Sequence, residues 1–450
     1  MPAELDAPRT VSFATLGCRL NQVDTQQMQT LLEARGYRTV CCDQPADVVI
    51  VNTCTVTARA ELSDRQAIRR AARVSPTATL VVTGCWAQTS PGAVAGMGEV
   101  DLVVGNADKH RLPELLEGIG AGGENAADRV HVSDIGEVRA IEVTPAATRP
   151  AGRSRAFLKV QDGCQHRCAF CVVPLARGGS RSLDPAAVLE QARGLVEAGH
   201  PELVLTGVDL GHYGADLTPR TSLAALMRSL AEIRGLRWVR LSSLLPAYFT
   251  PELIEVVTTS PVVAPHFHIP LQSGSDRVLK AMRRPYNTRM YRAIVERLTA
   301  AHPRLGLGAD LIAGFPGESE SDFAETVAFV RAMPFSYLHV FPYSARAGTE
   351  AASFTERLQA RTITTRSRAL RDLGREKSDA FRHGLLGEVE DVLVLETVDR
   401  ATGGLVGLSG NFVELVFAGP SELVGTLATI RVTGVEGDRT LGELVAADDR

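Results

Sequence analysis

Apolar residues along the chain change period in a regular way. Between residues 10 and 105 four apolar runs, VSFATLGC, ADVVIVNTC, ATLVVTGC and VDLVVGN, alternate with polar-faced segments. Two of those segments, DTQQMQTLLEARG and ARAELSDRQAIRRAARV, place their apolar residues at helical spacing. Strands alternating with helices predict a parallel sheet built from right-handed crossovers. Residues 121–152 are rich in Gly, Ala, Pro and polar residues and predict a linker. From 153 to 350 come six further strand candidates: RAFLKVQ, ELVLTGVDL, RWVRLSSLL, HFHIPLQS, LGLGADLIAG and SYLHVFPYS. Helical segments follow five of them, one opened by Asp184-Pro185, a helix cap followed by a first-turn proline. Six βα units are two short of a closed barrel, so the prediction is an open, partial (β/α)6 barrel. Residues 351–385 form a basic helical connector, and 386–450 alternate apolar and polar around glycine turns, as in a small OB-like β-barrel. The fold class is therefore α/β, with three domains at 9–120, 153–350 and 386–450.

Composition changes little in that picture. Hydrophobic residues make up 45% and charged residues 22% of the 450, ordinary for a globular chain with ample core. No apolar run is long enough to span a bilayer, and the start of the chain has no basic-then-apolar leader, so a cytoplasmic protein without a membrane partner is expected. In that compartment eight cysteines read as metal ligands or catalysts before disulfides. Only four of the 48 basic residues are lysine, a bias that genomic composition explains more cheaply than phosphate recognition does.

The sharpest signal is QDGCQHRCAFCVVP, in which Cys164, Cys168 and Cys171 are spaced C-x3-C-x2-C. A structural zinc site closes with four ligands, whereas three thiolates leave one iron of a cubane cluster open to a small molecule. The competing reading is a zinc knuckle completed by His166 or Cys85. The trio directly follows the first predicted barrel strand, at the end where barrel active sites assemble. A second trio is dispersed: Cys18, Cys54 and Cys85 each end a predicted strand of the first domain. In a parallel sheet such ends share one edge, so residues far apart in sequence converge. Small buried cysteines at strand ends would look the same. Cys41 and Cys42 are expected to precede a strand and to bind nothing.

The first of these motifs, with Phe170 before its last cysteine, resembles the radical S-adenosylmethionine (SAM) enzymes. With both trios, the whole chain resembles the radical-SAM methylthiotransferase family. TLGCRLNQ, VNTCTVT and VTGCWAQ are similar to its amino-terminal domain. QDGCQHRCAFCVVPLARG, HIPLQSGSDRVLKAMRR, DLIAGFPGE and FPYSARAGT are similar to its radical domain, and the tail to its closing TRAM module. The resemblance implies two 4Fe–4S clusters, one held by Cys164, Cys168 and Cys171 to bind and cleave SAM, the other an auxiliary cluster held by Cys18, Cys54 and Cys85 to handle sulfur. It also implies an external electron donor, a sulfur source and, as partner, the anticodon loop of a tRNA; a monomer is expected. A Gly-Gly-Glu signature normally follows the second barrel strand in the superfamily. Here that triplet occurs at 122–124, in the linker, and LTGVDLG stands in its place, with Gly207 the candidate contact for the SAM methionine group. The run 16–22, LGCRLNQ, is most similar to the branch acting on N6-threonylcarbamoyladenosine, ahead of the isopentenyladenosine branch and the branch modifying ribosomal protein S12.

Charge supports an RNA partner in part. Residues 277–292 carry six basic groups and no acid, and 357–382 carry eight basic against three acidic; a solvated helix face explains either run equally well. The tail 386–450 carries four basic and twelve acidic residues and two aromatics, Phe412 and Phe417, a poor grip on phosphate and a thin platform for bases. The radical domain and the basic helix should therefore dominate binding. Leu245 occupies a position where the family usually has an acid, which puts one polar contact in doubt and leaves Ser242 and Ser243 nearby. Asp310 and Glu318 stay unassigned, as do His166 and His212. A non-catalytic zinc- or cluster-dependent RNA-binding protein is the rival of another class.

Overall fold

The computed structural model describes residues 8–119, 129–142 and 154–445, so the Gly-Gly-Glu triplet at 122–124 lies outside the described residues. The chain divides into two compact units, Met1–Ala147 with Gln161–Leu183 and Ser344–Ala352, and Thr148–Val160 with Asp184–Tyr343 and Ser353–Arg450. This division cuts across the sequential one at 9–120, 153–350 and 386–450. The loop carrying Cys164, Cys168 and Cys171 belongs with the amino-terminal sheet.

The first unit is built on strands β1 (Thr10–Thr15), β2 (Arg38–Thr39), β3 (Val48–Thr53), β4 (Thr79–Gly84), β5 (Leu102–Val104) and β6 (Val130–His131), ordered β2-β1-β3-β4-β5-β6 and parallel throughout. β3 is buried at every position, as expected of a central parallel strand covered on both faces. Val49, Val51, Leu80, Val82 and Val103 pack with Ile68 and Trp86 on one face, while Val11, Val48, Ile50 and Val81 pack with Met28 and Leu32 on the other. The two edge strands were not legible: each has two residues, too few to show a period. β6 corrects the linker expectation, since Val130–His131 pairs with β5 and Ser133 donates to Asp108 from both its backbone nitrogen and its hydroxyl. Cys41 and Cys42 lie between β2 and β3, ahead of the latter strand as expected, and both are exposed.

Two short strands, β8 (Gln161–Asp162) and β9 (Arg181–Ser182), pair antiparallel in this unit. The second unit contains β7 (Arg155–Lys159), β10 (Glu202–Thr206), β11 (Trp238–Leu241), β12 (His266–His268), β13 (Gly306–Ala313) and β14 (Tyr337–Pro342). They form two parallel three-stranded sheets, β11-β10-β7 and β12-β13-β14, joined by the bridge Val239↔Val263. This is the six-stranded partial barrel the sequence predicts. The basic helix Ala360–His383 is its sixth helix: Gly374 packs on Leu338 of β14, and Leu370 and Leu373 are buried. Arg366 on that helix is also buried and pairs at 2.6 Å with Glu318 of the GFPGE loop, whose carboxylate also accepts from Gly314 N. Glu318 is thus a structural anchor, placed one residue before the Ser319 cap of the helix Glu320–Ala332.

The tail closes a five-stranded barrel from β15 (Val389–Val398), β16 (Leu405–Ser409), β17 (Glu414–Phe417), β18 (Leu427–Glu436) and β19 (Arg439–Leu444), ordered β15-β16-β17-β19-β18. Its β16–β17 turn enters the partial barrel. Phe412, at φ +72°, stacks on His266 at 4.3 Å between ring centres, and the Arg240 guanidinium lies 5.2 Å from the centre of the same ring. A Cβ on Gly306 would lie 2.0 Å from Asn411 O, so only glycine admits this turn. Phe417 is 3% exposed in the small barrel's core. Neither aromatic is therefore a platform for bases, which corrects that expectation. Because the tail also shares a core with Trp238 and Ala264 through Leu393, it is a structural part of the second unit and no detachable module.

Candidate functional site

The dispersed cysteines converge because β1, β3 and β4 are neighbours in register. Thr15 pairs with Asn52, and Asn52 with Thr83, so the three chains leave the sheet at one level. Adjacent strands lie about 4.8 Å apart, so three neighbouring ends span about 10 Å, the size of a multinuclear cluster. Cys18 caps the helix Arg19–Glu33, Cys54 follows β3, and Cys85 opens the short helix Cys85–Thr89. Glycines make the approach possible. Gly17, at φ +90°, has Cys54 Cβ and Sγ where its own Cβ would be, at 2.7 and 2.9 Å. Gly84, at φ +99°, has Thr53 O at 2.4 Å from that position.

Burial pushes the Cys54 thiol up to about 12; the charges of Cys85, Cys18 and Asp64 add to the rise. Burial also raises Cys85, against the pull of the Arg177 guanidinium. Burial keeps the Cys54 and Cys85 thiols protonated, beside the exposed Cys18; ligation of a metal would take their protons, since the thiolate is the form that ligates. The donor set thus fits an iron–sulfur cluster.

The compact trio sits on a loop closed by the β8–β9 pair, with Cys164 N donating to Gly178 O at 3.0 Å and Cys171 N to Cys168 O at 3.1 Å. Gly163, at φ +72°, has Gly179 O only 1.9 Å from its Cβ position, so the loop closes on glycine alone. All three thiols are half-buried, as is Phe170, and three open-sided thiols on one loop fit a cluster with a vacant corner.

One residue joins the two trios. Arg177, six positions past Cys171 and 3% exposed, donates from Nη1 to both oxygens of Asp162 at 3.1 Å. From Nη2 it donates to Asn21 Oδ1 at 2.7 Å and Asp24 Oδ2 at 2.9 Å, on the helix that Cys18 caps. Lys109, also buried, donates to the same Asp24 oxygen at 2.8 Å. Burial works against the Arg177 charge, but Asp162 and Asp24, with Cys85 and Cys18, hold it firmly protonated. Two cations and two carboxylates therefore form a neutral buried network between the loops.

A third chain segment, Ser344–Ala352, clasps both loops. Arg346 donates to Thr55, next to Cys54, at 2.8 Å and pairs with Glu61; Ala351 N donates to Ala169 O at 2.7 Å inside the compact trio. Sequence reasoning passed over Arg177, Asp24, Lys109 and Arg346. The signal was there in part, since Lys109 is one of only four lysines, but the arginine-rich composition hid the other two cations. Gly207 lies in the second unit, after β10, where its N–H donates to Ser242 Oγ at 3.4 Å. Leu245 caps a 3-10 turn at Pro246–Tyr248 and is half-buried, an apolar contact in place of the expected acid.

Comparison with known proteins finds relatives over nearly the whole chain. Residues 10–105 match the family described as "Uncharacterized protein family UPF0004", and residues 158–330 match the radical SAM superfamily. The threonylcarbamoyladenosine tRNA methylthiotransferase of Bacillus subtilis is 37% identical over 94% of this chain and 93% of its own length. The protein of the same name from Aquifex aeolicus is 40% identical over 86% of this chain and 93% of its own. A tRNA-2-methylthio-N(6)-dimethylallyladenosine synthase from Parafrankia is 36% identical over 92% of this chain and 84% of its own. Among solved structures, the radical SAM methyltransferase TsrM of Kitasatospora setae shares the fold at a TM-score of 0.58, with 17% identity, covering 74% of this chain and 75% of that one. Radical SAM enzymes use SAM and a 4Fe–4S cluster, and by its similarity over nearly its whole length this chain belongs to the radical-SAM methylthiotransferase family.

Proposed function

We propose that this chain is a cytoplasmic tRNA methylthiotransferase that adds a methylthio group at C2 of N6-threonylcarbamoyladenosine, at position 37 beside the anticodon. Cys164, Cys168 and Cys171 hold the cluster that binds SAM, with Phe170 beside it. Cys18, Cys54 and Cys85 hold an auxiliary 4Fe–4S cluster. When bound, the two groups supply the electron that cleaves SAM and a site for the sulfur to be transferred. The residues of the chain hold, orient and shield: Arg177 fixes both loops to one carboxylate pair, and Arg346 pins the loop after Cys54. The observation that carries the reading is that both cysteine trios lie in one compact unit, in a chain whose 40% and 37% identical relatives bear this activity in their names. An external electron donor and sulfur source complete the reaction, and the enzyme acts as a monomer.

The test is mass analysis of nucleosides from tRNA of a deletion strain. The methylthio derivative of threonylcarbamoyladenosine is expected to vanish and its unthiolated precursor to accumulate, while methylthiolated isopentenyladenosine is unchanged. A second reading, ribosomal protein S12 as substrate, draws on the tail's eight excess negative charges, which suit a basic protein. Its signature is the loss of methylthio-aspartate from S12 with tRNA intact.

Binding of tRNA falls to the exposed cations of the second unit. The basic runs are partly consumed internally: Arg277 pairs with Asp322, Arg292 lies over Phe329, and Arg366 and Arg382 are buried. Lys280 and Arg289 stay exposed. The double variant Lys280→Glu, Arg289→Glu is expected to weaken tRNA binding and lower the slope of log affinity against log salt by about 0.7 for each phosphate no longer neutralised. An unchanged slope would move the RNA interface elsewhere.

A further inference from the structure

A second constellation lies in the partial barrel, away from any cysteine in sequence. β12, β13 and β14 are adjacent and parallel, with His268 opposite Gly308 and Asp310 opposite His339. Side chains alternate along a strand, so His266 and His268, Gly308 and Asp310, and Tyr337 and His339 share one face. Leu338 faces the helix Ala360–His383, so that shared face is the barrel interior. There His268 Nε2 stands 3.0 Å and His339 Nδ1 3.3 Å from the same oxygen, Asp310 Oδ1. All three ligand atoms lie within 4.8 Å of one another.

We propose that His268, Asp310 and His339 form a three-ligand site for a first-row divalent cation of the zinc or nickel class. Bonds of about 2.0–2.1 Å in tetrahedral geometry put neighbouring ligand atoms about 3.3 Å apart, which the two measured separations match. Two imidazoles and one carboxylate make a donor set that suits a divalent ion, and imidazole with carboxylate favours this metal class over calcium or magnesium.

The outer shell has the form such sites need. Tyr337 OH lies 3.0 Å from His268 Nδ1 and 2.9 Å from His266 Nε2. A ligating histidine hands its other ring proton to such a partner, which fixes ring and tautomer. With an ion bound, His268 Nδ1–H would donate to the Tyr337 oxygen and the Tyr337 hydroxyl to His266, which would leave the His268 Nε2 lone pair to the ion. His339 has 57% of its side chain exposed. Gly308 is what makes this shell possible, for a Cβ there would lie 2.0 Å from the Tyr337 ring. The Phe412 turn seals the strand starts, and the exposed side of His339 leaves the remaining coordination positions to water or to an oxygen donor. Asp310 Oδ1 stands within reach of both imidazoles and is the central ligand of the group.

The site does not depend on the cluster assignments, and the test uses the intact holoenzyme. Protein reconstituted without oxygen, with its iron and sulfide measured, is treated with a mild chelator and titrated calorimetrically with Zn2+ and with Ni2+. Wild type is expected to take up one equivalent beyond its iron. His339→Ala and Asp310→Asn should each weaken that uptake by more than the ~10–100-fold typical of an outer-shell change, which is the range expected for Tyr337→Phe. His339 is exposed, so His339→Ala should keep the wild-type melting temperature and iron content and report on ligation alone. No uptake by iron-replete wild type would overturn the proposal. So would equal uptake by His339→Ala, which would assign the metal to adventitious thiols such as Cys41 and Cys42.

Discussion

Replacing Cys18, Cys54 and Cys85 together by alanine is expected to halve the iron of the reconstituted enzyme, from about eight to about four per chain. The variant should still cleave SAM to 5′-deoxyadenosine on reduction, because its compact loop is untouched, yet transfer no methylthio group to tRNA. The complementary change, Cys164, Cys168 and Cys171 to alanine, should also leave about four irons but abolish SAM cleavage altogether. Iron and sulfide analysis, with product chromatography, separates the two results. If the first variant kept full iron, or lost SAM cleavage as well, the division of labour between the trios would be wrong.

Replacing Arg177 should cost far more. Arg177→Leu removes the cation that Asp162 and Asp24 share and leaves two buried carboxylates, with Lys109 still neutralising that of Asp24. Breaking a buried pair by deleting one partner costs about 3–5 kcal/mol, and the upper end applies where one cation serves two anions. Urea or thermal unfolding of the cluster-free protein measures the change directly. Arg177→Lys should recover less than half of it, because a point charge cannot donate from two nitrogens to partners on separate loops. A loss below about 1 kcal/mol, within the range of surface pairs, would mean that the network relaxes into solvent.

Much of the architecture could be read from period and spacing. β1, β3, β4 and β5 stood out as apolar runs, and the convergence of Cys18, Cys54 and Cys85 followed from their places at strand ends. The edge strands β2 and β6 escaped because two residues carry no period, and β6 lay inside a stretch whose composition suggested a linker. What joins the sites was less visible still. Arg177 lies 153 residues from Asp24, and Arg346 lies 291 from Thr55, separations over which no local pattern survives. Phe412 misled for a different reason: composition records an aromatic in the tail but not that its turn is folded inward onto His266. The His268–Asp310–His339 group was equally hidden, since its members come from three strands and only their register brings them together.

The first unit draws its last piece, Ser344–Ala352, from the far side of the barrel sequence. During synthesis at roughly 5–20 residues per second, the interval between Cys18 and Ala352 leaving the ribosome is on the order of 20–70 s. Throughout that time the first thiols are made but their enclosure is not. The nascent chain must therefore be kept reduced, or guarded by a chaperone, until translation is nearly finished, and iron–sulfur loading belongs after release of the chain.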